Sequence, residues 1–111
     1  MTTAHAADVH VVDVPGRSRF EISVGGEVGG YTEYRRGPGR IAFIHTVIEP
    51  PFEGRGLASE LVHTALSQAR SEGLVVLPFC PFVRGYIAAH AEYLDLVPVD
   101  MRAKFDLPAH G

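Results

Sequence analysis

Ile48-Glu49-Pro50-Pro51-Phe52-Glu53-Gly54-Arg55-Gly56-Leu57-Ala58 is the stretch on which the reading of this chain turns. Arg40 to Glu49 before it reads as a strand, and Pro50-Pro51 must stop that strand, because neither proline can donate to a ladder. After it, Leu57, Ala58, Leu61, Val62, Ala65, Leu66 and Ala69 form one apolar stripe, with Ser59, Glu60, His63, Thr64, Ser67, Gln68 and Arg70 opposite. That is an amphipathic helix, and Gly73 is a natural end for it. Strand, Gly-x-Gly turn and helix N-terminus together are a recipe for an anion site. The first helical N–H groups have no intrahelical partner, the helix dipole adds partial positive charge, and glycines let a ligand reach the backbone. A diphosphate fits such a turn; the plainer reading is a tight connector. The Gly-Lys-Ser/Thr of a P-loop is missing, and the dinucleotide fingerprint expects three glycines.

Working upstream, Val9 to Val14 is short and β-branched and ends at Pro15-Gly16, a turn signal. Arg19 to Val24 alternates, with Phe20, Ile22 and Val24 on one face, as in a half-buried strand. Gly25-Gly26 makes a tight turn into a strand over Glu27 to Arg36, with a bulge expected at Gly29-Gly30. In Arg40 to Glu49, the alternation puts Ile41, Phe43, His45, Val47 and Glu49 on one face and Ala42, Ile44, Thr46 and Ile48 on the other. Both faces are mainly apolar, which predicts a central strand covered on both sides. Downstream, Leu74 to Phe79 suits a short buried strand. Pro81-Phe82 opens a second helix running to about His90, and Tyr93 to Val99 is expected to be a last strand. The order β-β-β-β-α-β-α-β predicts an α/β (α+β) fold: a mixed, mainly antiparallel central sheet with helices packed on it.

At 111 residues the chain is expected to be one domain over 9–111, preceded by a loose arm over 1–8. Hydrophobic residues make up 46%, and the net charge is −3, so no basic excess points to nucleic acid. Cys80 is the only cysteine, which rules out an internal disulfide and favours a reducing compartment. Met1 to Asp8 lacks the basic and apolar regions of a signal peptide, and no apolar stretch approaches the ~20 residues of a membrane span. A cytoplasmic protein without membrane contact is expected.

The context of the turn resembles the signature of the GNAT acetyltransferase superfamily, with Ile48, Pro50, Phe52, Gly54, Gly56, Leu57 and Ala58 in register. His45-Thr46, the long helix, and Cys80-Pro81-Phe82 before Tyr86 and Tyr93 extend the likeness to the short, single-domain YjdJ-type branch, over roughly Phe20 to Val97. The resemblance implies a GNAT-like fold and acetyl-CoA as cosubstrate. It implies that pantetheine lies where two central strands part, and that backbone N–H groups near Thr46, Val47 and Ile48 polarise the acetyl carbonyl. The diphosphate would rest on backbone from Glu53 to Ala58 (Glu53, Gly54, Arg55, Gly56, Leu57, Ala58). Two departures stand out. Glu53 occupies a position where the family usually has Gln or Arg, and a carboxylate beside a diphosphate is unfavourable unless it points away. Pro15-Gly16-Arg17-Ser18 replaces the two helices that cover the acceptor side in larger relatives.

Acetyl transfer to an amine needs a proton acceptor and an acid for the leaving thiolate. His45 is the candidate general base, directly or through water; its plainer reading is a buried histidine with a backbone partner. Cys80, at the mouth of the parting strands, is the candidate nucleophile and also lines the CoA site; most free cysteines are simply small buried residues. The helix start and a nearby His45 are the features expected to activate it. Tyr86 is the candidate acid for the CoA thiolate, as a tyrosine on this helix is in many GNAT enzymes, and Phe82 a wall for pantetheine. Glu49 lies ~13 Å along the strand from His45 and forms no pair with it. His5, His10, His63 and His110 show no metal-ligand spacing, so no metal is expected. The leading reading is an acetyl-CoA-dependent N-acetyltransferase acting on an unidentified amine, small or on a protein, by direct attack or through a cysteine. The alternatives are a non-catalytic acetyl-CoA-binding or sensing module and an α/β domain whose turn is only a connector.

Overall fold

The computed structural model describes residues 8–109; the expected arm, apart from Asp8, lies outside them, as do His5 and His110. Five strands form one sheet in chain order: β1 (Val9–Val14), β2 (Arg19–Val24), β3 (Glu27–Gly37), β4 (Arg40–Ile48) and β5 (Val75–Pro78). The first three pairings are antiparallel and β4–β5 is parallel. Helix α1 (Leu57–Ser71) is the crossover between the parallel strands, and α2 (Pro81–Ala89) follows β5. The mixed, mainly antiparallel sheet with packed helices is as the alternation predicts. Among the described residues no helix is long and apolar enough to cross a membrane.

The apolar stripe of α1 supplies Leu57, Leu61, Val62, Ala65, Leu66 and Ala69 to the core, where they join Phe20, Ile22, Tyr34, Ile41, Phe43 and Val76 in one buried cluster. Gly73, at φ +70°, ends the helix in the left-handed region. Tyr34 donates from its phenol to Asp13 at 2.5 Å, and Arg36 bridges Asp13 and Glu72, tying β3 to β1 and to the end of α1. Burial, then the Asp13 carboxylate, raises the Tyr34 phenol above its ordinary value.

Two bulges shape the middle of the sheet. Between β2 and β3 the register passes from Ile22↔Gly30 to Ser23↔Val28, leaving Gly29 as the extra residue, as the Gly-Gly pair predicts. A side chain at Gly29 would come within 2.9 Å of the Phe52 ring, so the glycine lets Phe52 bury itself beneath the turn that leads to α1. The second bulge was not expected. Between β3 and β4 the register passes from Tyr34↔Phe43 to Glu33↔His45, leaving Ile44 unmatched. Ile41 and Phe43 face the core, but beyond the bulge Thr46 and Ile48 share the face of Thr32 and Gly30, while His45 and Val47 turn outward. The single uninterrupted alternation expected over Arg40 to Glu49 is therefore corrected. So is the idea that both faces are covered, since His45 is exposed and Val47 only half-buried.

The expected last strand over Tyr93 to Val99 is also corrected. Ala91–Leu96 is a 3₁₀ helix. Tyr93, Leu94, Leu96 and Val97 are buried while Asp95 between them is exposed, a spacing of three that fits a 3₁₀ turn rather than a strand. The exposed Asp95 forms a two-pronged pair with Arg70 of α1, each contact 2.9 Å. The tail continues in short 3₁₀ turns that bury Phe105 and Leu107. Buried Arg102 holds it by donating to the carbonyls of Val97 at 2.9 Å and Ala109 at 2.6 Å.

Candidate active site

The turn into α1 is built as its sequence predicts. Pro50–Phe52 forms one 3₁₀ turn, and Gly54 and Gly56 take φ +80° and +75°. Gly56 is the N-cap and carries no side-chain cap bond; the first backbone bond returning to the turn runs from Glu60 N–H to the Gly56 carbonyl at 3.2 Å. A Cβ added at Gly54 or Gly56 would meet nothing within 4 Å, so the backbone of the turn opens outward. A hollow of about 280 Å³ lined by Val9, Arg55, Gly56, Leu57 and Glu60 lies beside it. The charges there are mixed. Glu53 and Glu60 are exposed, and Arg55 leans back over the Phe52 ring, 5.4 Å from its centre, donating to the Pro51 carbonyl at 3.3 Å.

From this turn, β4 runs back alongside an open gap. Its pairing with β5 covers Arg40 to Phe43 and ends at Phe43↔Pro78. Beyond that point Ile44 to Ile48 have no strand partner on the β5 side among the described residues. Glu49 N–H donates to the Gly29 carbonyl at 2.8 Å. Antiparallel alternation therefore turns the backbone groups of Val47 toward β3 and those of Thr46 and Ile48 toward the gap.

Cys80 closes the inner end of the gap and caps α2. It is 2% exposed and clipped to β4 on both sides of the bulge. Its N–H donates to the Phe43 carbonyl at 2.8 Å, and its sulfur lies 3.2 Å from the Thr46 hydroxyl. The Thr46 hydroxyl in turn lies 2.9 Å from that of Thr32, which is fully buried. Thr32 is the site residue that sequence reasoning missed. A threonine in an alternating strand looks like any other β-former, and only the register Thr32↔Thr46 places it behind the cysteine.

The structure brings Thr46 and Cys80 together and separates both from His45. The bulge turns the imidazole to the opposite face of β4, where the cross-strand neighbour of His45 is Glu33. His45 is exposed, so the reading of a buried, backbone-satisfied histidine fails, and the closeness to Cys80 on which its activating role was based is not found. Around it, the open face of the sheet carries Arg19, Glu21 and Tyr31, with the Arg19 guanidinium 4.1 Å from the centre of the Tyr31 ring and 2.9 Å from Glu21.

Tyr86 and Phe82 line a groove of about 320 Å³ between α2 and the first turn of α1, with Ser59, Gly85 and His90. The Tyr86 ring stacks on His90 at 4.0 Å. Burial foremost, then Tyr93, Glu92 and Glu60, raises the Tyr86 phenol above its ordinary value, so it holds its proton through the neutral range. Tyr93 meets His63 of α1 at 2.7 Å, so His63 has a structural partner. Among the described residues no three His, Cys, Asp or Glu side chains group to hold a metal.

No curated protein matches the chain. Among solved structures, a GCN5-like protein from Staphylococcus aureus is similar in fold, with a TM-score of 0.64 at 18% identity, covering 83% of this chain and 90% of that one. A GCN5-related N-acetyltransferase from Sphaerobacter thermophilus is 17% identical with a TM-score of 0.48; the match takes in 52% of this chain and only 19% of that protein. A family model described as GCN5-related N-acetyl-transferase matches residues 19–96, a span that holds the glycine turn, both bulges, Cys80 and Tyr86, and the chain belongs to that family.

Proposed function

We propose that the chain moves an acetyl group from acetyl-CoA to an amine through Cys80, in the cytoplasm, where a lone thiol stays reduced. The observation that carries this reading is the position of Cys80, held against Thr46 where β4 loses its partner β5. The backbone from Glu53 to Ala58 would take the diphosphate, with the open N–H groups at the start of α1 as donors. The unpaired backbone of Thr46 and Ile48 would receive the acetyl carbonyl, Val47 would hold the strand to β3, and Phe82 would flank pantetheine.

In this scheme the Cys80 thiolate attacks the acetyl carbonyl carbon. The bond from that carbon to the CoA sulfur breaks, and Tyr86 protonates the departing thiolate. The acceptor amine then attacks the acetylated Cys80, releasing the thiolate again, and His45 takes the amine proton on the open face, directly or through water. The four-residue connection Pro15 to Ser18, which leaves that face uncovered, suits a large or varied acceptor.

Mass spectrometry after incubation with acetyl-CoA is expected to find an acetyl group on Cys80. Transfer to an amine panel that survives Cys80→Ala would reject the covalent route in favour of direct attack assisted by His45. Calorimetry that finds no CoA binding at millimolar concentration would remove both routes.

A further inference from the structure

The chain Thr32–Thr46–Cys80, buried at both ends and half-buried at Thr46, has a direction that proton counting reveals. Its three groups carry three protons, two on hydroxyls and one on the thiol, but they make only two contacts, at 2.9 Å and 3.2 Å. One proton therefore has no acceptor within the chain. If Cys80 donated toward Thr46, the proton left over would be a hydroxyl's: that of Thr32, whose side chain is fully buried, or, with Thr46 accepting from both sides, that of Thr46; neither hydroxyl has a further side-chain or backbone hydrogen-bond partner among the described residues. If Thr32 donates to Thr46 and Thr46 to the sulfur, the proton left over is that of the thiol. A thiol is the weakest donor of the three. Stranding a hydroxyl proton in the core costs more than stranding the thiol proton.

We propose that Thr32, acting through Thr46, holds the Cys80 sulfur as a hydrogen-bond acceptor and so favours its thiolate, which makes both threonines positioning residues for the cysteine. The proposal rests on the cysteine route above. Each threonine serves by its hydroxyl, so Thr→Ser preserves the device and the near-isosteric Thr→Val removes it. The sign of the effect reports the direction of the chain. Were Cys80 the donor, losing the Thr46 hydroxyl would destabilise the thiol and increase ionisation instead.

Because Cys80 is the only cysteine, its ionisation can be followed by thiolate ultraviolet absorbance against pH, with Cys80→Ser as the blank; no reagent needs to reach the buried sulfur. Thr46→Val is expected to raise the midpoint by about one pH unit, a tenfold loss of thiolate below it. Thr32→Val is expected to raise it by less, and Thr32→Ser and Thr46→Ser to keep it near wild type. A midpoint that stays put or falls in Thr46→Val overturns the proposal, and one unmoved by Thr32→Val removes Thr32 from it. Should a valine variant not fold by circular dichroism, Thr32→Ala or Thr46→Ala is read in the same titration. The titration uses no acetyl-CoA. Midpoints that shift as expected in a protein that takes no acetyl label would refute the transfer reading and leave the relay standing. Labelling with midpoints indifferent to both threonines would refute the relay alone.

Discussion

Gly56→Ala separates the role of the glycine turn in folding from the binding role proposed for it. Gly56 sits at φ +75°, ψ 15°, and an added Cβ would meet no atom within 4 Å. The cost to the fold is therefore backbone strain alone, about 1–2 kcal/mol for an L-residue in the left-handed region, and a fall in Tm of several degrees, roughly 4–8 °C per kcal/mol in a chain of this size. The methyl group would stand in the open space over the uncapped start of α1. If a diphosphate oxygen approaches there, it accepts a charge-assisted hydrogen bond worth about 1.5–3 kcal/mol. Losing one such bond weakens CoA binding roughly tenfold to a hundredfold. Gly39→Ala is a matched control, since Gly39 is at φ +70° with equally open space, but it precedes β4, roughly 25–30 Å of strand away from the glycine turn at the start of α1. Urea unfolding should show the two variants destabilised alike, and calorimetry with CoA should show only Gly56→Ala impaired. Equal affinities in both would refute the assignment of the diphosphate to this turn. A loss of stability several times larger in Gly56→Ala would show that the glycine packs against something, contrary to its open surroundings.

Three further outcomes are expected. Glu53→Gln removes an exposed carboxylate from the turn; at 6–8 Å in water a unit charge pair is worth about 0.5–0.7 kcal/mol, so CoA should bind a few times more tightly at low salt and the gain should shrink near physiological ionic strength. Calorimetry at two salt concentrations checks this, and no change at either would mean the carboxylate points away from the ligand. Gly30→Ala should be severe, because its Cβ would lie 2.5 Å from the Val47 carbonyl oxygen and 2.6 Å from Ile48 Cδ1; a loss of at least about 2 kcal/mol is expected in urea. The third concerns pH. Gln68 and then Arg36 hold Glu72 below the ordinary carboxylate range, and Arg70 does the same for Asp95. Depressed carboxylates contribute stability that is present above their unfolded value and lost as pH falls through the folded one. Both are well exposed, so each contributes well under about 1 kcal/mol. Tm should decline gently below about pH 5, and the decline should flatten in Arg36→Gln/Arg70→Gln.

Much of the fold was legible because local signals agreed with one another. The alternation of Phe20 and Ile22, the glycines at 25–26 and 29–30, and the stripe from Leu57 to Ala69 each had one physical reading. The C-terminal segment was not legible in that way. Tyr93 to Val99 is apolar enough for a strand, but with Tyr93, Leu94, Leu96 and Val97 inward and Asp95 outward, its burial follows the spacing of a turn. What decides between them is tertiary: Arg70 of α1 receives Asp95, and His63 receives Tyr93. Neither partner can be inferred from a seven-residue window.

The bulge at Ile44 carries the larger consequence, and it left no mark in the sequence. A bulge shows in a strand when it brings two residues of one polarity together where alternation is strict. From Ile41 to Ile48 both faces are largely apolar, so inserting one residue changes nothing in the pattern while reversing the direction of every side chain that follows. The residue types of the candidate site could thus be named from the sequence, but not their sides. Unbulged, β4 would put His45 with Ile41 and Phe43 in the core and Thr46 on the outer face. With the bulge, Thr46 reaches Cys80 and His45 is free on the uncovered face. In the proposed reaction that division would let one strand serve two ends of a transfer: a buried thiol held by hydroxyls on the donor side, and an accessible imidazole on the side from which an acceptor would arrive. Deleting Ile44 would test whether the division is required. The strand should then pair regularly and carry Thr46 away from the sulfur, and a variant that folds should lose acetylation of Cys80 while its glycine turn still binds CoA. Retained acetylation in such a variant would show that the bulge is incidental to the chemistry.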